Sequence, residues 1–291
     1  MYNAKVSPGY GGPQQPGYGA PQPVAPGYQG QPQQPGQPFI VQPLMGFPMQ
    51  QRQWAPAVPA VAGCPPGLEY LTQIDQLLIK QQIELLEAFT GWETNNKYMV
   101  LNNQGQQVYF AAEESDLCQR QFCGAARGFV IHILDNHNQE VMRLSREFKC
   151  CAGYCWCATA DACSHMVTVE APVGQVIGYV RQEYSSWAPN FLLKDGSGNP
   201  ILRIHGPCCV INMPCCEDKF SVWTADDTKD IGEICKQRGL QEFFVDANNF
   251  GATFPKDLDV KAKAILLGAV FLLDFMYFEQ PANNNRHRGY Y

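Results

Sequence analysis

The chain has 291 residues and a formal net charge of −6, unevenly placed: the first 68 residues contain Lys5 and Arg52 but no Asp or Glu, so all 27 acids lie beyond them. An acidic folded part has no general attraction for nucleic acid or anionic lipid headgroups. Such a contact needs a local basic patch or a bridging cation, and nucleic acid is not expected as a partner.

Residues 1–66 hold 15 of the 22 prolines, with much Gln and Gly and the loose repeat Pro8-Gly9-Tyr10, Pro16-Gly17-Tyr18, Pro26-Gly27-Tyr28. Such a composition cannot bury enough apolar surface to offset its ordering entropy, so a disordered arm is expected. Pro13 to Pro16, Pro23 to Pro26 and Pro32 to Pro35 have PxxP spacing, which favours the extended conformation taken up by proline-recognising domains. A passive tether is the other reading. The opening MYNAKVSPGYGG lacks the regions of a secretory signal, so the 13 cysteines are expected reduced, on the cytosolic side, without a disulfide framework.

From Gly67 to Phe89 the pattern fits a helix through Leu71, Ile74 and Leu78, yet Leu77, Ile79 and Ile83 suit a strand; periodicity leaves both open. A strand-turn-strand unit then recurs five times. Tyr98 to Leu101 pairs with Val108 to Phe110, Phe129 to Leu134 with Glu140 to Leu144, and Val167 to Val169 with Val176 to Val180. Phe191 to Leu193 pairs with Ile201 to Ile204, and Phe220 to Trp223 with Ile231 to Ile234. Five hairpins predict about ten strands, enough to close or stack into a barrel or sandwich.

Two cysteine groups interrupt the hairpins. Cys150, Cys151, Cys155 and Cys157, then Cys163 and His165, precede the third; Cys208, Cys209, Cys215 and Cys216 precede the fifth. Structural zinc prefers paired cysteines with two to four residues between them, which the CC pairs and bulky Tyr154 and Trp156 fit poorly. Thioester acylation suits cytosolic cysteines among aromatic and small residues, and ordinary buried thiols are the third reading.

Asp246 to Asp257 (DANNFGATFPKD) has the spacing of a twelve-residue calcium loop, with Asp246 at position 1, Asn248 at 3, Gly251 at the sharp bend and Asp257 at 12. Phe250 and Phe254 bring no side-chain oxygen, and Ala252 offers its carbonyl. The expected calcium site is weak, about 10⁻⁴ to 10⁻³ M; a surface turn is the alternative. Val260 to Phe278 follows, 19 residues apolar on every face and about 28 Å long as a helix. Either it spans a bilayer once, with Lys261 and Lys263 at the cytosolic end, or it is buried in protein. Asp274 inside a span costs roughly 2.5–3.5 kcal/mol, and a barrel could hold the helix instead.

Several segments in order resemble the phospholipid scramblase family: CPPGLEYLTQIDQLLIKQQIELLEAFTGWETNNKY (64–98), YFAAEES (109–115), the Cys150 to Cys157 cluster, VEAPVGQVIGYV (169–180), GPCC (206–209) and DANNFGATFPKDLDVKAKAILLGAVFLLDFMYFE (246–279). The resemblance implies a mainly β fold, a tubby-like closed β-barrel around a hydrophobic C-terminal helix. A disordered proline-rich arm (1–66) would precede a barrel domain (67–280, helix 260–278), with a short polar tail (281–291). It implies calcium-activated, ATP-independent, bidirectional movement of phospholipids between leaflets, without covalent catalysis, at the cytosolic face of the plasma membrane.

Carried over by position, calcium ligands fall on Asp246, Asn248, Phe250 (backbone), Ala252, Phe254 and Asp257, and acylation on Cys150, Cys151, Cys155 and Cys157. Asn248 stands where the family usually has Asp, which implies a weak Ca2+ site, and CCAGYCWC is sparser than the usual cysteine run. Membrane phospholipids are the implied partners, with proline-recognising proteins and a homo-oligomer as further candidates. The rival expectation is an acylated, membrane-associated adaptor that binds lipids or proteins without moving lipid. His132 and His205 lie in strand patterns, and no set of nucleophile, base and orienting residue is evident, so a hydrolytic enzyme is not expected.

Overall fold

The structure is a computed structural model that describes residues 53–82, 96–116, 119, 123, 126–149, 157–207, 219–236 and 249–278. A short 3-10 turn, Glu69–Thr72, precedes twelve strands: β1 Gln76–Gln82, β2 Lys97–Leu101, β3 Gln107–Glu114, β4 Phe129–Leu134, β5 Glu140–Arg146, β6 Met166–Glu170, β7 Val176–Glu183, β8 Asn190–Asp195, β9 Pro200–His205, β10 Lys219–Thr224, β11 Asp230–Lys236 and β12 Asn249–Thr253. Each pairs antiparallel with its neighbours in sequence, and β12 closes the barrel against β1. All five expected hairpins are present, as β2-β3, β4-β5, β6-β7, β8-β9 and β10-β11. Closure removes the unpaired edges that an open sheet of this size would expose.

Local turn chemistry explains why the hairpins form. The Asp135 carboxylate accepts the N–H groups of His137 and Gln139 at 2.8 and 2.9 Å, and Asp195 repeats this with Ser197 and Asn199 at 2.9 and 2.8 Å. Asn138 and Gly198 take φ near +60° and +87° in these turns, a region tolerated by Asn and Gly. All five tight turns lie at one end of the barrel, the hairpin end. The open question at 67–89 resolves into the 3-10 turn and β1, while 83–89 lies outside the described residues.

The chain reaches the barrel before Gly67. The N–H of Ala55 donates to the carbonyl of Gln107 at 2.8 Å, and Leu68, Leu71 and Ile74 are buried in the core. Tyr109 Oη ties this segment down by donating to the Gly67 carbonyl at 2.9 Å.

The last helix, α1 (Val260–Leu273), runs down the barrel axis from the hairpin end and continues as a π-helical turn, Asp274–Phe278. The Asp259 carboxylate caps it, accepting from the N–H groups of Lys261 at 2.9 Å and Ala262 at 3.2 Å, an arrangement worth about 1 kcal/mol. Every residue from Ala262 to Leu273 is buried. Phe271 meets Tyr98 edge-on at 5.2 Å between centroids, and Phe275 lies 4.4 Å from Phe129.

Burial on all faces explains why the apolar run shows no polar side: the barrel wall surrounds it. At about 1.5 Å per residue the α-helical part is about 21 Å long, short of a hydrocarbon core of about 30 Å. Among the described residues no helix is long and apolar enough to cross a membrane. Of the two sequence readings of Val260 to Phe278, the structure shows the buried one, with α-helix only to Leu273.

Candidate functional site

The twelve-residue pattern is divided between a strand and a turn. Asp246 and Asn248 lie outside the described residues. Phe250, Gly251 and Ala252 form part of β12, hydrogen-bonded between β1 and β11, with Phe250 opposite Ile79 on one side and Lys236 on the other. Gly251 is not at a bend: its backbone is extended, and a Cβ there would lie 2.5 Å from the Leu77 carbonyl oxygen. Phe250 points inward onto Tyr98 and Phe271, each 6.2 Å away between centroids. Phe254 is buried past the strand, and Asp257 is exposed in the turn before α1.

The described part of the pattern, from position 249 on, does not by itself form a wrapped loop. Calcium needs six to eight oxygens at about 2.3–2.6 Å. The five residues of β12 alone run about 13 Å in extended form, at roughly 3.3 Å per residue. The strand itself therefore cannot wrap around an ion while β12 is in the sheet. No group of three or more metal-binding side chains comes together among the described residues.

A cation does occupy this end of the barrel, and it belongs to the chain. Lys263, fully buried in the first turn of α1, donates from Nζ to the carbonyls of Leu71 and Ile74 at 2.9 Å each and of Lys256 at 2.7 Å. Its ammonium also lies 5.3 Å from the centre of the Phe254 ring. Burial lowers its pKa below the ordinary lysine value, opposed by the nearby carboxylates of Asp75 and Asp257. The converging carbonyls satisfy all three donors, which is what makes burial of the charge tolerable.

Two further charged clusters were not evident from the sequence. Outside the wall, His132 Nδ1 is 2.7 Å from Glu140 and Nε2 is 3.0 Å from Glu114, while Arg143 grips Glu140 with two hydrogen bonds of 2.8 Å. Burial would lower the imidazole pKa, but both carboxylates outweigh it and the net shift is upward. Burial likewise opposes ionisation of Glu140, yet His132 and Arg143 bring its pKa down to about 2.

At the end opposite the hairpins, Arg127 lies 4.4 Å over the Phe275 ring and 3.3 Å from Glu113, and Arg146 lies 4.8 Å over Phe129. Beside them His165 is buried, with neither ring nitrogen hydrogen-bonded. Burial first, then Arg146 and Lys149, push its pKa down to about 3. A surface depression lined by His205, Ser221, Trp223 and Asp227 holds no paired nucleophile and base. Ser221 Oγ donates to the His205 carbonyl at 3.4 Å, and the imidazole is engaged by Asp227 at 2.7 Å.

Of the acylation candidates, Cys150, Cys151 and Cys155 lie outside the described residues. Cys157 is half-buried, and its carbonyl accepts the N–H of Ala160 at 3.1 Å. The segment containing all four joins β5 to β6, whose ends at Arg146 and Met166 lie opposite the hairpin end.

A family model described as Scramblase matches residues 55–280, the whole of the barrel and its helix. Phospholipid scramblase 1 of Mus musculus is 45% identical over 259 residues, covering 84% of this chain and 77% of its own length. Phospholipid scramblase 2 of Bos taurus is 47% identical over 249 residues, covering 84% and 83%. Phospholipid scramblase 4 of Homo sapiens is 35% identical over 272 residues, covering 88% and 81%. No solved structure matches the chain.

Proposed function

The chain belongs to the scramblase family, and from that premise we propose that it associates with membranes and moves phospholipids between their leaflets, without covalent chemistry. The observation that carries this reading is identity of 45–47% over 84% of the chain to proteins named phospholipid scramblase. The geometry adds a constraint on mechanism. Ile265, Leu266, Leu267, Val270 and Phe271 are fully buried inside the barrel, so its interior offers no path for a headgroup. Lipid must move along the outside of the protein, where bilayer thinning or assembly of several copies lowers the barrier of about 30 Å of hydrocarbon.

Finer parts of the proposal rest on the resemblance. They are ATP independence, calcium activation, the plasma membrane's cytosolic face, acylation at Cys150, Cys151, Cys155 and Cys157, and PxxP partners of a 1–66 arm ahead of the 67–280 domain. Coordination through the Phe250 and Ala252 carbonyls would compete with the pairing of β12 to β1 and β11, so the lipid reading is not routed through the ion. The second reading, an acylated lipid-binding or adaptor barrel, draws support from the filled interior. Purified full-length chain in vesicles, with a labelled lipid followed between leaflets with and without calcium, separates the two. Exchange faster than in empty vesicles supports lipid movement; equal rates at millimolar calcium leave the adaptor.

A further inference from the structure

The two ends of the barrel differ in chemistry. The hairpin end carries Asp135, Asp195, Asp226 and Asp227 in its turns and Asp257 and Asp259 where the helix enters. At the other end, the strands β5 to β8 finish in exposed apolar side chains. Phe148 follows β5, Met166 opens β6, and Tyr184 and Trp187 stand in the connection from β7 to β8. Trp187 at 80% and Tyr184 at 57% are the most exposed large hydrophobic side chains among the described residues.

The tip that holds them is built rather than loose. The N–H of Ala188 donates to Ser185 Oγ at 3.3 Å, and the Pro189 carbonyl accepts from the N–H of Gly206 at 2.8 Å. Residues 184–189 contain no charge. The surrounding rim mixes Lys97, Lys149 and Lys219 with Glu114, Glu147 and Asp161, so it lacks the acidic excess of the hairpin end.

We propose that the β7-β8 tip, led by Trp187 and Tyr184 with Phe148 and Met166 beside it, is the surface by which the barrel seats in the interfacial layer of a phospholipid bilayer. This rests on the lipid reading above and adds which face meets the membrane. Tryptophan and tyrosine favour the headgroup level because an apolar ring carries a polar edge, and a fixed tip loses little entropy on insertion. An anionic surface repels the acidic hairpin end, which sets the barrel's orientation.

The test uses the full chain produced without acylation and sedimented with vesicles of phosphatidylcholine and phosphatidylserine. Trp187→Ser should weaken partition about ten-fold, the loss expected when a large ring no longer leaves water. Trp187→Phe should keep most of it, and Val176→Ser at the hairpin end should change nothing. Vesicles with brominated acyl chains should quench wild-type fluorescence more than that of Trp187→Phe. Equal partition of wild type and Trp187→Ser, including the case of a tip that serves a protein partner, overturns the proposal. If Trp187→Ser moves labelled lipid and partitions like wild type, docking falls and lipid movement stands. If wild type partitions through Trp187 but moves no lipid, docking stands and lipid movement falls.

Discussion

Ile265 of the core helix occupies the space that a side chain on Gly178 would need: a Cβ there would lie 2.3 Å from Ile265 Cδ1 and 2.3 Å from the Lys194 carbonyl oxygen. The complementary exchange lies one turn on, where a Cβ on Gly268 of the helix would meet Val169 at 3.0 Å. Val169 and Gly178 are partners in the β6-β7 register, so a large-small pair on the wall faces a small-large pair on the helix. Gly178→Val should destabilise the barrel by about 3 kcal/mol, because one of the atoms it meets is backbone and cannot rotate away. Urea unfolding read by tryptophan fluorescence measures this; a loss under about 0.5 kcal/mol would mean that the helix does not lie against β7.

The ammonium of Lys263 joins the helix to the segment that closes the hairpin end. Lys263→Met keeps the stem and removes the charge, leaving the Leu71, Ile74 and Lys256 carbonyls without this donor. The expected cost is about 3 kcal/mol in urea with an unchanged m-value. A cost near zero would indicate that water or another donor serves these carbonyls.

Acid lability should come in two stages. His165 has a folded pKa of about 3 against 6.5 for the free side chain. The stability available with it neutral is complete above pH 6.5 and is lost as pH falls toward 3, with a slope approaching about 1.4 kcal/mol per pH unit. Glu140, at about 2 against 4.5, adds a loss beginning only near pH 4.5. His132 works the other way, since its raised pKa gives stability present below 6.5 and lost as pH rises through the folded value. His165→Leu should therefore flatten the stability profile between pH 6 and 5, measured by urea titrations at each pH; parallel profiles would exclude His165 as the source.

A calcium ion held by the Phe250 and Ala252 carbonyls would compete with the sheet pairing of β12. At about 1 mM calcium, the weak end of the loop range, the amides of β12 should keep the hydrogen-exchange protection they have without the ion. Selective loss of protection at Phe250 and Ala252 would show that the ion draws β12 out of the barrel.

The hairpins were legible because each turn signals itself locally, as Asp135 and Asp195 do by accepting N–H groups two and four residues on. The closing strands were not. In β1, Leu77 and Ile79 satisfy helix and strand periods alike, and in β12 the Asn, Gly and Thr composition reads as a loop. Both become strands because each supplies the other's missing edge, a pairing between opposite ends of the chain. The apolar run showed burial on every face but not by what, since lipid and barrel wall demand the same side chains. Lys263 carried no readable partner among the core segments, for the Leu71 carbonyl it donates to lies 192 residues earlier in the chain.

The most direct test asks whether the helix stays in the barrel when the protein is on a membrane. A photoreactive phenylalanine analogue at position 271, whose ring packs on Tyr98 and Phe250, can be activated in vesicle-bound full-length chain. Cross-links confined to peptides of β2 and β12 are the expected result. Cross-links from position 271 to lipid acyl chains would contradict a core helix and place it in the bilayer.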